Sequence, residues 1–217
     1  MAKNQYTYAV ARIRAMEVSL FSQAVIDQLL ACKDEKQCIS LLQEKGWGNA
    51  GTPTDAEAIL TCEREKTWKE VKGLVDDMSV FDVISYPDLF HNLKAAIKVA
   101  ATGEESSDIF ISDTKIPAEE MLEIVKNKEF SRLPDYMANA AEEAYEALLH
   151  THDGQLCDII IDRAALLAIY AAGRKAKDAI IRDYAESTVA VADIKIAVRS
   201  QKTAKSLEFM KRAMAEC

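Results

Sequence analysis

Apolar residues recur along most of this chain at intervals of three and four, the spacing that gathers one face of an α-helix. Tyr6 to Leu30 carries Val10, Ile13, Leu20, Val25, Ile26, Leu29 and Leu30 in this rhythm, with Ser22 marking a break between two helices. Asp34 to Lys45 predicts a further helix with Cys38, Ile39, Leu41 and Leu42 inward. Gly46-Trp47-Gly48-Asn49-Ala50-Gly51-Thr52-Pro53 is the clearest loop. Thr54 then caps a long helix, with Glu57 completing a capping box. That helix turns Ile59, Leu60, Trp68, Val71, Leu74, Val75 and Met78 inward and ends near Ser79.

The stretch Tyr86 to Gly103 reads as a complete helix. Pro87 and Asp88 open it, because proline is tolerated in a first turn and a carboxylate accepts free N–H groups there. Gly103 closes it in a left-handed conformation. Leu89, Leu93, Ala96, Ile97 and Ala100 share one face, while Lys94 and Lys98 project elsewhere. Residues 104–116 form an irregular connector containing Ser106-Ser107 and a short β-prone run, Ile109-Phe110-Ile111. Helices are then expected from Pro117, with Glu119 and Glu120 at its positive dipole end, and from Pro134-Asp135 to about His152, stopped by Gly154. Gln155 to Ala185 reads as one long helix that Gly173 bends or splits. Thr188 to Lys202 and Ser206 to Glu216 complete the series.

Asn92-Leu93-Lys94 matches Asp193-Ile194-Lys195, Ala96-Ile97-Lys98 matches Ala197-Val198-Arg199, and Thr102 matches Thr203, at a constant offset of 101 residues. The shared pattern suggests one helical unit used twice. The expected organisation is therefore two helical lobes, residues 1–105 and 106–217.

Composition supports an all-α class. Only 7 Gly and 4 Pro in 217 residues leave few turn formers for a β-rich chain. A net charge of −8 disfavours binding to a nucleic-acid backbone, which needs a basic surface. The 5 cysteines, Cys32, Cys38, Cys62, Cys157 and Cys217, are odd in number and include no Cys-x-x-Cys, which suits reduced thiols in a cytoplasmic protein. Met1 to Gln5 lacks the apolar core of a signal peptide, and the apolar run Ala164 to Ala172 is far short of the ~20 residues that span a bilayer. A connection to a membrane is expected to run through another protein.

Candidate chemistry is sparse. His150 and His152 fall at a helix end that favours a cation, and Glu143 and Glu146 lie upstream. A di-iron site, however, needs Glu-x-x-His on two helices, whereas Glu146 and His150 are four residues apart without a second copy. Asp158 and Asp162 share a helix face and could form an acid–base pair, but read more simply as a solvated, dipole-matched surface with Arg163 nearby. Trp47 and Trp68 suit packing. Phosphate loops, nucleophile elbows and zinc-protease motifs do not occur. The sequence therefore predicts a non-enzyme with no cofactor, no metal and no catalytic residues.

Tyr8-Ala9-Val10-Ala11-Arg12-Ile13-Arg14-Ala15-Met16-Glu17, with Leu20 and Ser22, resembles the opening of the C subunit of V-type and A-type rotary ATPases, the counterpart of the eukaryotic d subunit. Asp88 to Gly103, Asp158-Ile159-Ile160-Ile161-Asp162-Arg163, and Asp183-Tyr184 followed by Asp193-Ile194-Lys195 are similar to later segments of that family, in family order. Ala164-Ala165 depart from it, standing where the family usually has aromatics. The resemblance covers two of the family's three related lobes. It implies a non-catalytic, cytoplasmic socket in the rotor, peripheral to the membrane, which joins the central stalk (the D and F subunits) to the membrane ring of c/K proteolipids. Such a socket transmits torque for ion transport, including hydrogen ion transport and ATP synthesis. A free-standing helical scaffold for a soluble protein partner is the alternative.

Overall fold

A computed structural model describes residues 6–49, 51, 55–103 and 109–215. The described residues are all-α, with ten α-helices and no strand. In chain order these are α1 (Thr7–Glu17), α2 (Gln23–Leu30), α3 (Glu35–Glu44), α4 (Ala56–Leu74), α5 (Asp82–Thr102), α6 (Ala118–Lys126), α7 (Asp135–Thr151), α8 (Gly154–Lys175), α9 (Ala179–Lys202) and α10 (Leu207–Ala213). Among the described residues, no helix is long and apolar enough to cross a membrane.

The chain divides into two compact units, residues 1–78 and 79–217. A division at 105, as the sequence suggested, would assign α5 to the first. Instead α5 packs against α6, α7 and α8 of the second unit, because its apolar residues complete the core there.

In the first unit, capping explains the helix starts. Ser22 precedes α2 in extended conformation, at the expected break. The Asp34 carboxylate accepts the Gln37 N–H, and the Asp55 carboxylate accepts the Ala58 N–H. Asp55 therefore caps α4; the proposed Thr54 cap lies outside the described residues. Helix α4 stops at Leu74, short of Ser79, and a 3-10 turn follows at Met78–Phe81. The glycine loop is held from α4: Glu63 accepts the Gly48 N–H at 2.8 Å and Lys66 donates to the Gly48 carbonyl at 2.8 Å. Trp47 stacks on Phe21 with ring centroids 5.0 Å apart. Ala9, Ile39 and Ile59 are buried, whereas Val10, Leu20, Leu30 and Leu60, expected inward, are exposed.

The second unit has a continuous core. Helix α5 supplies Leu89, Phe90, Leu93, Ala96 and Ile97, which meet Met121 and Ile124 of α6, Met137 and Ala141 of α7, and Ile161 and Ile169 of α8 in one cluster. The helix begins at Asp82, about a turn before the expected start, so Pro87 lies inside it. Proline there removes one backbone hydrogen bond. Burial of Val83 and Tyr86 in the additional turn offsets that loss, as does the Tyr86 hydroxyl donating to Asp82 at 3.1 Å. Gly103 ends the helix at φ 73°, as expected of a left-handed terminus. Pro117 and Pro134 precede α6 and α7 as anticipated.

Two breaks differ from the sequence reading. Helix α7 ends on His152 at φ 52°, and Gly154 is the first residue of α8 rather than a stop. The deciding side chain is Asp153, which accepts the N–H groups of Gln155 and Leu156 and so starts a new helix. The long segment Gln155 to Ala185 is two helices, parted at Ala176–Asp178, where Arg182 donates to the carbonyls of Ala176 and Lys177. Gly173 stays helical. Its role is close approach: a Cβ built on it would lie 2.3 Å from the Ala185 Cβ of α9.

Gly173→Ala should therefore force α8 and α9 apart and destabilise the second unit by about 1–3 kcal/mol. Urea unfolding of the two proteins side by side measures it; a Gly173→Ala protein as stable as the parent would show that the helices yield freely.

Candidate functional site: a charged helix seam and two buried clamps

The side chains singled out for chemistry are scattered. His150 Nε2 lies 3.0 Å from Glu146 on the surface of α7, and His152 occupies the left-handed terminus of that helix; the remaining histidine, His91 on α5, has its Nε2 2.8 Å from the Ile109 carbonyl. Among the described residues, no group of three or more His, Cys, Asp or Glu converges as metal ligands would.

Asp158 and Asp162 are not a free solvated pair. Lys94 Nζ lies 2.7 Å from Asp162 Oδ1, and Lys98 Nζ lies 2.7 Å from Asp158 Oδ1. Both lysines are on α5 and both carboxylates on α8, each pair separated by one helical turn, so the rungs form a ladder between two antiparallel helices. Asp158 Oδ1 is itself covered, and the Lys98 ammonium approaches it as a counter-charge outside hydrogen-bond alignment. Arg163, the expected neighbour, donates from Nε to the Met214 carbonyl at 2.9 Å instead. Partial exposure of both rungs limits each to about 0.2–1 kcal/mol, so the ladder sets register more than stability.

Two buried polar side chains do stronger holding. Asn92 on α5 is fully buried; its Nδ2 donates to the Ile111 carbonyl at 2.9 Å and to Thr114 Oγ1 at 3.1 Å, and its Oδ1 accepts the Ile111 N–H at 2.8 Å. A backbone that shows no strand at Ile111 thereby gains both partners it would have had in a sheet. Asp193 on α9 is buried too, and its Oδ1 accepts the Ala215 N–H at 3.0 Å. Asn92 and Asp193 are matched positions of the sequence pattern, and each secures a segment about twenty residues downstream. The helix ends agree as well: Thr102 and Thr203 each donate to the carbonyl four residues back, and the next residues, Gly103 and Ala204, are both left-handed. The surroundings differ, since α5 is buried over much of its girth while α9 exposes Val191, Ile194 and Val198.

Beside the ladder lies Cys157, fully buried. Burial first, and the Asp158 charge second, push its thiol up from 9.0 to about 11, against the pull of Lys98 and Lys94. Neighbouring polar contacts link α5, the segment before α6, and α7: Lys115 pairs with Asp82, and Tyr86 packs on Tyr136 with centroids 4.9 Å apart. These features fix helices against one another and present no nucleophile beside a base.

Replacing Asn92 by Leu strands the Ile111 N–H and carbonyl and should cost about 2–4 kcal/mol, whereas Lys98→Met should cost under about 1 kcal/mol. Chemical denaturation of both variants tests the ranking, and equal losses would contradict it. A pH series adds a second check. The Cys157 thiol is neutral when folded and ionises at lower pH when unfolded, so its stabilising effect is complete below pH 9 and falls away as pH rises to about 11. Stability should decline across that window, and Cys157→Ala should flatten the decline.

Residues 9–217 match the model of the family described as ATP synthase (C/AC39) subunit. A curated relative, the C subunit of the V-type sodium ATPase of Enterococcus hirae, is 25% identical over 157 residues, covering 71% of this chain and 48% of the relative. The chain thus spans about half the length of that relative. No solved structure matches it significantly. With the family match extending over nearly all of its length, the chain belongs to the ATP synthase (C/AC39) subunit family.

Proposed function

We propose that this chain is a non-catalytic rotor component of a V-type or A-type ATPase, acting as a socket between the central stalk, with its D and F subunits, and the membrane ring of c/K proteolipids. The observation that carries this reading is the family match over residues 9–217. The named relative being part of a V-type sodium ATPase supports the ATPase assignment. Its task would be mechanical: torque generated by ATP hydrolysis elsewhere passes through helices that keep their register, and ion transport follows. The α5–α8 ladder and the Asn92 and Asp193 clamps suit that task, because they resist sliding of one element along another. In this reading α5 and α9 descend from one duplicated unit, which the matched clamps and helix ends support. The protein works on the cytoplasmic side and reaches the membrane through the assembled complex.

Tagged protein recovered from its native cells should bring stalk and ring components with it, and its depletion should lower ATP-driven ion uptake by membrane vesicles. Recovery of a soluble partner alone, with vesicle transport unchanged, would favour the free-standing scaffold.

A further inference from the structure

Neither the ladder nor the clamps involve the two thiols at the junction of α2 and α3. Cys32 lies just past the end of α2, and its sulfur donates to the Gln28 carbonyl at 3.4 Å; Cys38 lies in α3, and its sulfur donates to the Leu29 carbonyl at 3.7 Å. Those acceptors belong to consecutive residues of the last turn of α2, so the two sulfurs are anchored beside one another, and Cys38 is close enough to act on the Cys32 thiol. The turn between them is fixed at both ends. Lys33 N–H donates to Gln37 Oε1 at 2.9 Å, and Asp34 accepts the Gln37 N–H at 2.8 Å. A surface cavity of about 350 Å3, lined by Gln28, Ala31, Cys32, Gln37 and Ser40, opens beside Cys32 and is large enough for a small oxidant.

We propose that Cys32 and Cys38 form a dithiol modification site, which a hydroperoxide converts to an intramolecular disulfide clasping α2 to α3. One thiolate attacks the O–O bond of the peroxide, giving a sulfenic acid and releasing water or an alcohol. The neighbouring thiol then attacks the sulfenic sulfur, forming the S–S bond and releasing a second molecule, water. Two electrons and two protons leave the dithiol, and the peroxide accepts both. Partial desolvation, Cys38 and the Asp34 carboxylate hold the Cys32 thiol above its ordinary range, so the site is slow to react at neutral pH and resists casual oxidation. Closure would shorten the fluctuations of the α2–α3 turn.

The full chain treated with hydrogen peroxide in mildly alkaline buffer, then digested without reduction, tests this. The expected product is a Cys32–Cys38 crosslinked peptide, about 2 Da lighter than its dithiol form, appearing at least tenfold faster than any other pairing. Cys32→Ser and Cys38→Ser should each abolish that product. In urea the rate advantage over the other pairings should fall, because the anchoring carbonyls are gone. Crosslinks through Cys62 or Cys157 as the main product, oxidation of Cys32 to sulfinic acid without a bridge, or an advantage undiminished in urea would each overturn the proposal.

Discussion

The second unit depends on burying α5 over most of its circumference. Ten of its 21 residues are buried, on more than one face. A helix placed so deeply cannot enclose a polar side chain without giving it a partner, and its half-buried cations are matched as well. Asn92 finds the backbone of Ile111, Lys94 finds Asp162, and Lys98 finds Asp158. The burial also explains why Pro87 is tolerated. The apolar area sequestered by the extra turn, with Val83 and Tyr86 inside, outweighs one absent backbone hydrogen bond.

Much of this architecture was legible because its punctuation is local. Ser22, Asp34, Pro117 and Pro134 act within one turn of where they stand, and the helices start where those residues place them. Reading failed where two local signals competed. Gly154 looks like a stop, but Asp153 immediately before it is a better start. Gly173 looks like a hinge, yet the chain breaks three residues later, because the glycine is needed for the approach of Ala185 and the turn carbonyls are supplied by Arg182. The depth of α5 was illegible for another reason: helical periodicity shows which face is apolar, but not that Asn92 will be enclosed as well.

The ladder was half visible. Lys94 and Lys98 stand one turn apart, and so do Asp158 and Asp162, which is the spacing that antiparallel helices need to pair in reverse order. Reading each pair on its own helix gave a solvated surface; setting one against the other gives a seam. The clamps had a weaker signal: a polar residue within an apolar stripe, Asn92 on α5 and Asp193 on α9. Only the downstream backbone, too far along the chain for local rules to reach, reveals what they hold.

The two units differ in how they resist deformation. Helices α5 to α9 share one continuous apolar cluster, so a displacement of any of them disturbs packing throughout. Among the described residues of 1–78, the buried apolar side chains are Ala9, Ile39 and Ile59, and order rests on caps, a loop bound to α4, and ion pairs such as Arg12–Glu70 at 3.2 Å. Hydrogen bonds and exposed ion pairs of this kind can be exchanged for water at little cost, whereas a close-packed core cannot. A part that transmits force needs the second kind of resistance. In the rotor role proposed above, stiffness should therefore reside in the packed core that α5 shares with α6, α7 and α8, and the partly exposed ladder on its surface sets their register.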